Sequence, residues 1–171
     1  MHGRTGGLFS RLLASRSPVP RDFYRYPTEI KLRKMPDCTA VATLETHPVD
    51  DIHRIEYRFP ANGNRQLVVT MDSIDGKPML DVIFNAPVAF RVIDELHLTE
   101  FWNEYSLPNG WLWRVHAGGY FDLECSRKTF ISDFYSTTTP LEEYLIVADQ
   151  CVSIIAIGPP VLMPCSIQDG G

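Results

Sequence analysis

Short runs of alternating apolar and polar residues recur along much of the chain, the pattern of half-buried β-strands. In the clearest run, 52–59, the odd-numbered residues are the more apolar and are expected to face the core, with His53 among them as a hydrogen-bonded core residue. The turn-forming residues 60–64 separate this run from the β-branched run 66–71, which predicts an antiparallel hairpin. Further strands are predicted at 40–46, 79–84 and 88–93.

The period of the pattern changes after residue 94. Apolar residues then recur at the spacing i, i+3, i+4 and i+7, which forms one stripe of a helix: Leu98, Phe101, Trp102 and Tyr105. Asp94 is a suitable N-cap, and the turn residues 108–110 end the segment. The sequence therefore predicts one short amphipathic helix over about 95–106, with polar residues on its opposite face.

Two more strand pairs are predicted after this helix. The first joins 111–116 to 120–124 across Gly118-Gly119, where a hairpin turn needs positive φ. The second joins 143–147 to 152–157, and Gly158-Pro159-Pro160 stops its last strand. Because strands dominate and no βαβ alternation occurs, the expected fold class is α+β, built on a mostly antiparallel sheet with short strands on either side of the helix.

Charge is distributed unevenly along the 171 residues. The first 35 residues carry eight basic and two acidic side chains, whereas the rest of the chain carries eight basic and nineteen acidic ones. This acidic body would repel phosphate backbones, so nucleic acid is not an expected partner. It would attract a basic protein and accelerate the encounter between them.

The first 27 residues are rich in arginine and lack the apolar core of a secretory signal. They are expected to form a flexible basic arm, with an organelle transit peptide as the alternative, ahead of a single domain at 28–171. The longest uncharged stretch, 150–168, contains three prolines, so no membrane-spanning helix and no membrane partner are expected. The four cysteines form no CxxC pair and are expected to be reduced, in a cytoplasmic protein.

Motifs of catalysis and cofactor binding are not found in the sequence. The chain contains no phosphate-binding glycine loop, no Gly-x-Ser-x-Gly elbow and no HExxH, so we expect neither an enzyme nor a cofactor or metal. One alternative stays open: Cys125 and His116 could approach each other across the predicted second hairpin and form a nucleophile–base pair. A ligand-binding domain with a site assembled from scattered residues is a further alternative.

Aromatic residues are concentrated between residues 101 and 121. Most are expected in the core, and those left exposed beside charged residues would suit a protein-binding hot spot. Glu100 and Glu104 lie four residues apart and would share one helix face, where a solvated surface is the simplest interpretation.

An ordered series of segments between residues 82 and 160 resembles a known group of proteins. The series is 88–95, Phe101-Trp102, 110–113, 118–124, 143–147 and 151–154. In this order the segments resemble small bacterial immunity proteins of polymorphic-toxin systems, including contact-dependent and type VI secretion systems. The matching motifs are structural rather than chemical, and they cover about half of the chain.

The resemblance implies a small cytoplasmic protein that binds and blocks a cognate toxin without catalysis of its own. Intracellular toxins that act on polyanions, such as nucleases, are basic, and an acidic inhibitor complements them. Carboxylates and an aromatic residue around the predicted helix are the expected toxin-binding residues: Asp94, Glu95, Glu100, Trp102 and Glu104.

Overall fold

The computed structural model describes residues 35–61, 63–101, 104–127 and 139–165. All of them belong to one compact unit, Arg33–Gly171. The predicted basic arm, 1–27, lies outside the described residues.

Nine strands and one short α-helix make up the regular structure of the described residues. The strands are β1 (Asp37–Ala42), β2 (Val49–Arg58), β3 (Gln66–Ser73), β4 (Pro78–Asn85), β5 (Pro87–Asp94), β6 (Leu112–Ala117), β7 (Leu141–Ile146), β8 (Gln150–Ile157) and β9 (Val161–Pro164). The helix, α1, is Tyr120–Cys125. The expected fold class is confirmed: the chain is α+β and mostly antiparallel, with a single short helix in its described part.

The strands form two antiparallel sheets that share one core. The five-stranded sheet has the order β1-β6-β7-β8-β5, and the four-stranded sheet has the order β2-β3-β4-β9. Their inner faces meet in a cluster of fully buried side chains, among them Leu67, Phe84, Trp111, Tyr144 and Ile154. In β3 and β4, alternation places every second residue in this layer, which is why the period of two is visible in the sequence there.

The outer face of the five-stranded sheet is covered as well. Leu98 and Phe101, which follow β5, pack with Trp113, Leu145 and Cys151 in a second cluster. Strands β7 and β8 are therefore buried on both faces along most of their length, whereas Arg114 and His116 on β6 stay exposed. This double burial explains the continuous apolar stretches in β7 and β8, which show little alternation.

The first predicted hairpin is confirmed as β2–β3. Of the odd-numbered residues, only Ile55 packs against the core as expected. The prediction is wrong for the other three: the side chain of His53 is 40% exposed, and Tyr57 and Phe59 are 37% and 74% exposed. Register shifts on either side of Ile52 break the alternation, and Ile52 packs against the core as well. His53 lies at the surface instead, with Nδ1 3.1 Å from Oδ1 of Asp72.

The predicted helix over 95–106 is not an α-helix in its described part. Glu95–His97 is a 3-10 turn, and the amides of Leu98 and Phe101 each donate to the carbonyl three residues earlier, at 2.9 and 2.8 Å. Three residues per turn stack Leu98 directly over Phe101, so their spacing suits a 3-10 geometry as well as an α-helix. The inward stripe of Leu98, Phe101 and Tyr105 is nevertheless correct.

The helix of the fold lies instead at α1, where the sequence predicts the second strand of a hairpin. Gly118 has the expected positive φ of 75°, but the chain then turns into a helix. Residues 120–124 alternate like a strand. The carboxylate that accepts from the first two amides of the helix belongs to Glu143, which is distant in sequence. The last predicted strand pair, 143–147 with 152–157, is confirmed as the β7–β8 hairpin. An additional strand, β9, follows Pro159 and Pro160.

Candidate functional site

The segment between β5 and β6 carries most of the residues that the sequence predicts for toxin binding. Asp94, Glu95, Glu100 and Glu104 are all exposed. Asp94 ends β5 and caps the following 3-10 turn, since its Oδ1 accepts from the Leu96 amide at 2.9 Å. Trp102, the fifth predicted residue, lies outside the described residues.

The acidic segment is held to the sheet by its apolar residues. Leu98 and Phe101 are each 4% exposed, whereas Leu96 on the opposite side is 64% exposed. Between β5 and β6 the main chain folds back in tight turns. Its apolar side packs on the five-stranded sheet, and its carboxylates face solvent. We call the four exposed carboxylates of Asp94, Glu95, Glu100 and Glu104 the acidic surface.

A cavity of about 380 Å³ lies between this segment and the β7–β8 hairpin. Leu98, Phe101, Tyr105 and Leu107 form one wall, and the residues from Leu145 to Cys151 contribute the other. Glu95 and Asp149 are the charged residues among the described ones that line it. We call this cavity the apolar pocket.

The aromatic wall of the apolar pocket is fixed by contacts outside it. The Tyr105 hydroxyl donates to the Pro36 carbonyl at 3.1 Å, and its ring lies edge-on to Trp113 with the centroids 5.1 Å apart. The indole of Trp113 in turn donates to the Gly110 carbonyl at 2.9 Å. Burial raises the pKa of the Tyr105 phenol. The ring is therefore oriented before any ligand arrives.

The thiol of Cys151 lies at the floor of the apolar pocket. The residue is 2% exposed, and its Sγ is 3.6 Å from the Ala148 carbonyl oxygen, to which it donates. Burial raises the pKa of this thiol, and the negative charges of Glu95 and Asp94 raise it further. Glu95, which lines the pocket, and the neighbouring Asp94 therefore make its interior more negative, because charge is poorly screened there.

A second polar cluster joins α1 to the outer face of the five-stranded sheet. The buried carboxylate of Glu143 on β7 accepts from the amides of Tyr120 and Phe121 at 2.7 and 2.6 Å. Burial raises the pKa of Glu143, against the opposing effect of these two amides. The Arg91 guanidinium lies 4.6 Å above the Tyr120 ring. Because its partners are main-chain amides, Glu143 serves as the N-terminal cap of α1.

The alternative pair of Cys125 and His116 loses the hairpin on which it depended. His116 lies on β6, and its Nε2 is 2.9 Å from the Thr39 hydroxyl on the neighbouring β1. Cys125 ends α1 as an exposed residue. The two side chains are thus not cross-strand neighbours as predicted.

Sequence reasoning missed two features of this region, the apolar pocket and the role of Glu143. Asp149 reaches the pocket from the β7–β8 turn, about fifty residues after Glu95, so no local pattern connects them. Glu143 was one of two adjacent glutamates in an apolar run. Its position directly before the apolar residues of a predicted strand is the signal that could have singled it out, since such a position is expected to be buried and a buried carboxylate needs partners.

Neither a metal-binding cluster nor a membrane-spanning helix occurs among the described residues. None of their histidine, cysteine, aspartate and glutamate side chains form a group of three or more that could hold a metal ion. Within the same ranges, no helix is long and apolar enough to cross a bilayer.

Comparison with known proteins gave no match. The chain fits no family model, and neither the curated proteins nor the solved structures contain a significant relative.

Proposed function

We propose that this chain is a non-catalytic, immunity-type protein that binds a basic bacterial toxin and neutralises it through the acidic surface. The observation that carries the proposal is the exposure of four carboxylates within eleven residues, on a segment anchored to the sheet by Leu98 and Phe101. An anchored acidic segment can meet a basic cleft without first becoming ordered, which lowers the entropic cost of binding.

The charge of the whole body supports the same partner. After residue 35 the chain carries eleven more acidic than basic side chains, so a basic protein is attracted before contact as well as at the interface. The proposed partner is a basic toxin domain, and a toxin gene immediately upstream of this chain's gene would identify it. Blocking such an enzyme requires occupation of its polyanion-binding cleft and no chemistry by the inhibitor.

The test is charge reversal on the acidic surface. Glu100→Lys/Glu104→Lys is expected to weaken the affinity for the toxin by about tenfold or more at low salt, because like charges then face each other. The difference should shrink in about 500 mM NaCl, where exposed charges are screened within a few ångströms. The affinities are measured by calorimetry at both salt concentrations.

A matched control separates the surface from the net charge. Glu45→Lys/Asp50→Lys changes the net charge equally at exposed positions outside the acidic surface. This control should lose far less affinity. An unchanged dissociation constant for the Glu100/Glu104 variant would remove those residues from the interface.

A further inference from the structure

The apolar pocket has the properties of a ligand site in its own right, independent of the proposed protein partner. Its volume of about 380 Å³ lies in the range of small-molecule sites. At about 30 Å³ for each water-sized group, it holds roughly a dozen non-hydrogen atoms. A ligand of this size is larger than one lysine or arginine side chain and smaller than a peptide.

The walls select for an apolar body that packs against aromatic rings. Phe101 and Tyr105 present aromatic rings whose centroids are 6.1 Å apart, and Leu145 and Val147 close the opposite side. Tyr105 is held from behind by Trp113 and Pro36. A ligand therefore enters a preformed slot and does not have to order it.

The charged residues of the pocket select the sign of the ligand's charge. Glu95 and Asp149 reach the pocket from opposite walls, and the described residues that line it include no basic side chain. The buried Cys151 thiol already responds to the negative charge of Glu95 and Asp94. An ammonium group is attracted both by these carboxylates and by the faces of the aromatic rings, whereas a carboxylate ligand is repelled.

We propose that the apolar pocket binds a small arylalkylammonium ion, with its ring between Phe101 and Val147 and its ammonium group between Glu95 and Asp149. This inference does not rest on the proposed function, and an acidic surface that binds a toxin does not require it. It assigns a ligand class, a primary amine on an apolar body, to a cavity that shares Glu95 with the acidic surface and whose other lining residues the proposed inhibition does not use.

The test compares three probes of nearly equal size on the full chain: tryptamine, which is cationic, tryptophol, which is neutral, and indole-3-acetate, which is anionic. Calorimetry should show tryptamine binding, tryptophol binding several-fold more weakly, and indole-3-acetate not binding. Methyl chemical shifts in the wild-type chain should move at Leu98, Leu145 and Val147 when tryptamine is added. This mapping needs no substitution and locates the site directly.

Single substitutions then test the charge selection. Glu95→Gln and Asp149→Asn should each weaken tryptamine binding by about two- to fivefold, as expected for partly exposed ion pairs. The control Asp75→Asn removes a carboxylate that is 62% exposed in the β3–β4 turn, and it should change nothing. None of these substitutions alters a buried residue, so the fold should be retained.

Four results would overturn the proposal. These are no tryptamine binding at millimolar concentration, equal binding of tryptamine and indole-3-acetate, shift changes confined to residues away from the apolar pocket, or binding of N-acetyl-lysine amide in preference to tryptamine. The last result would indicate that the pocket binds a lysine side chain of a protein partner and not a free amine.

Discussion

Gly119 and Glu143 show how one contact decides the conformation of a segment. A Cβ atom at Gly119 would overlap the carboxylate of Glu143, because the two lie too close for any packed pair. The same carboxylate caps the first two amides of α1. The double-glycine sequence therefore allows Glu143 to approach the helix, in addition to the positive φ at Gly118.

Gly119→Ala should accordingly destabilise the fold by about 1–3 kcal/mol, since the new methyl group displaces Glu143 from the amides it caps. Urea denaturation of the single and double variants measures the effect. In a Glu143→Ala background the same substitution should cost clearly less, because the clashing carboxylate is gone. Equal costs in the two backgrounds would show that the Gly119–Glu143 contact is not the cause.

Cys38 gives the fold a pH dependence in alkali. Burial, with the carboxylates of Glu143 and Asp37, raises the pKa of this thiol from 9.0 to about 12. The folded chain thus keeps the proton to higher pH than the unfolded chain. The stabilising contribution is fully present below pH 9.0 and is lost as pH rises toward about 12.

The free energy of unfolding should therefore fall more steeply with pH in the wild type than in Cys38→Ala, over the range from about pH 9 to about pH 11. Tyrosines that do not interact with Cys38 titrate alike in both proteins and cancel in the difference, whereas Tyr105, whose pKa is raised by burial and by the Cys38 thiolate, contributes to it. Parallel pH profiles of the two proteins would mean that the pKa of the Cys38 thiol is not raised in the folded state.

At the scale of elements, the strands were predictable where one face is buried and the other is not. The β2–β3 hairpin follows from alternation and a turn of Pro, Asn and Gly. The helix was misplaced because apolar spacing cannot distinguish successive 3-10 turns from an α-helix over so short a segment. The segment α1 was missed because its cap comes from Glu143, more than twenty residues later in the chain.

The anchoring of the acidic segment can be tested by truncating one side chain on each of its sides. Leu98→Ala removes a side chain that is 4% exposed and should cost about 2–3 kcal/mol of stability, whereas Leu96→Ala, at 64% exposure, should stay within about 0.5 kcal/mol. Chemical denaturation measures both. Similar values for the two variants would contradict the packing of this segment on the sheet.

At the scale of the whole molecule, the fold class and the net charge could be predicted from the sequence, whereas the apolar pocket could not. The antiparallel α+β fold and the acidic body follow from residue patterns and counts, and the exposed positions of Asp94, Glu95, Glu100 and Glu104 agree with the sequence analysis. The apolar pocket could not be predicted, because it needs the β7–β8 hairpin to lie under the segment between β5 and β6. Such a contact depends on tertiary packing alone.

The acidic surface is proposed to neutralise a toxin by binding it. The most direct measurement is growth of a bacterial host that expresses the upstream-encoded toxin domain together with this chain. The wild-type chain and the Glu45→Lys/Asp50→Lys control should restore growth, and Glu100→Lys/Glu104→Lys should not, although it accumulates as a folded protein. Failure of the wild-type chain to protect the host, or equal protection by the Glu100/Glu104 variant, would contradict the account.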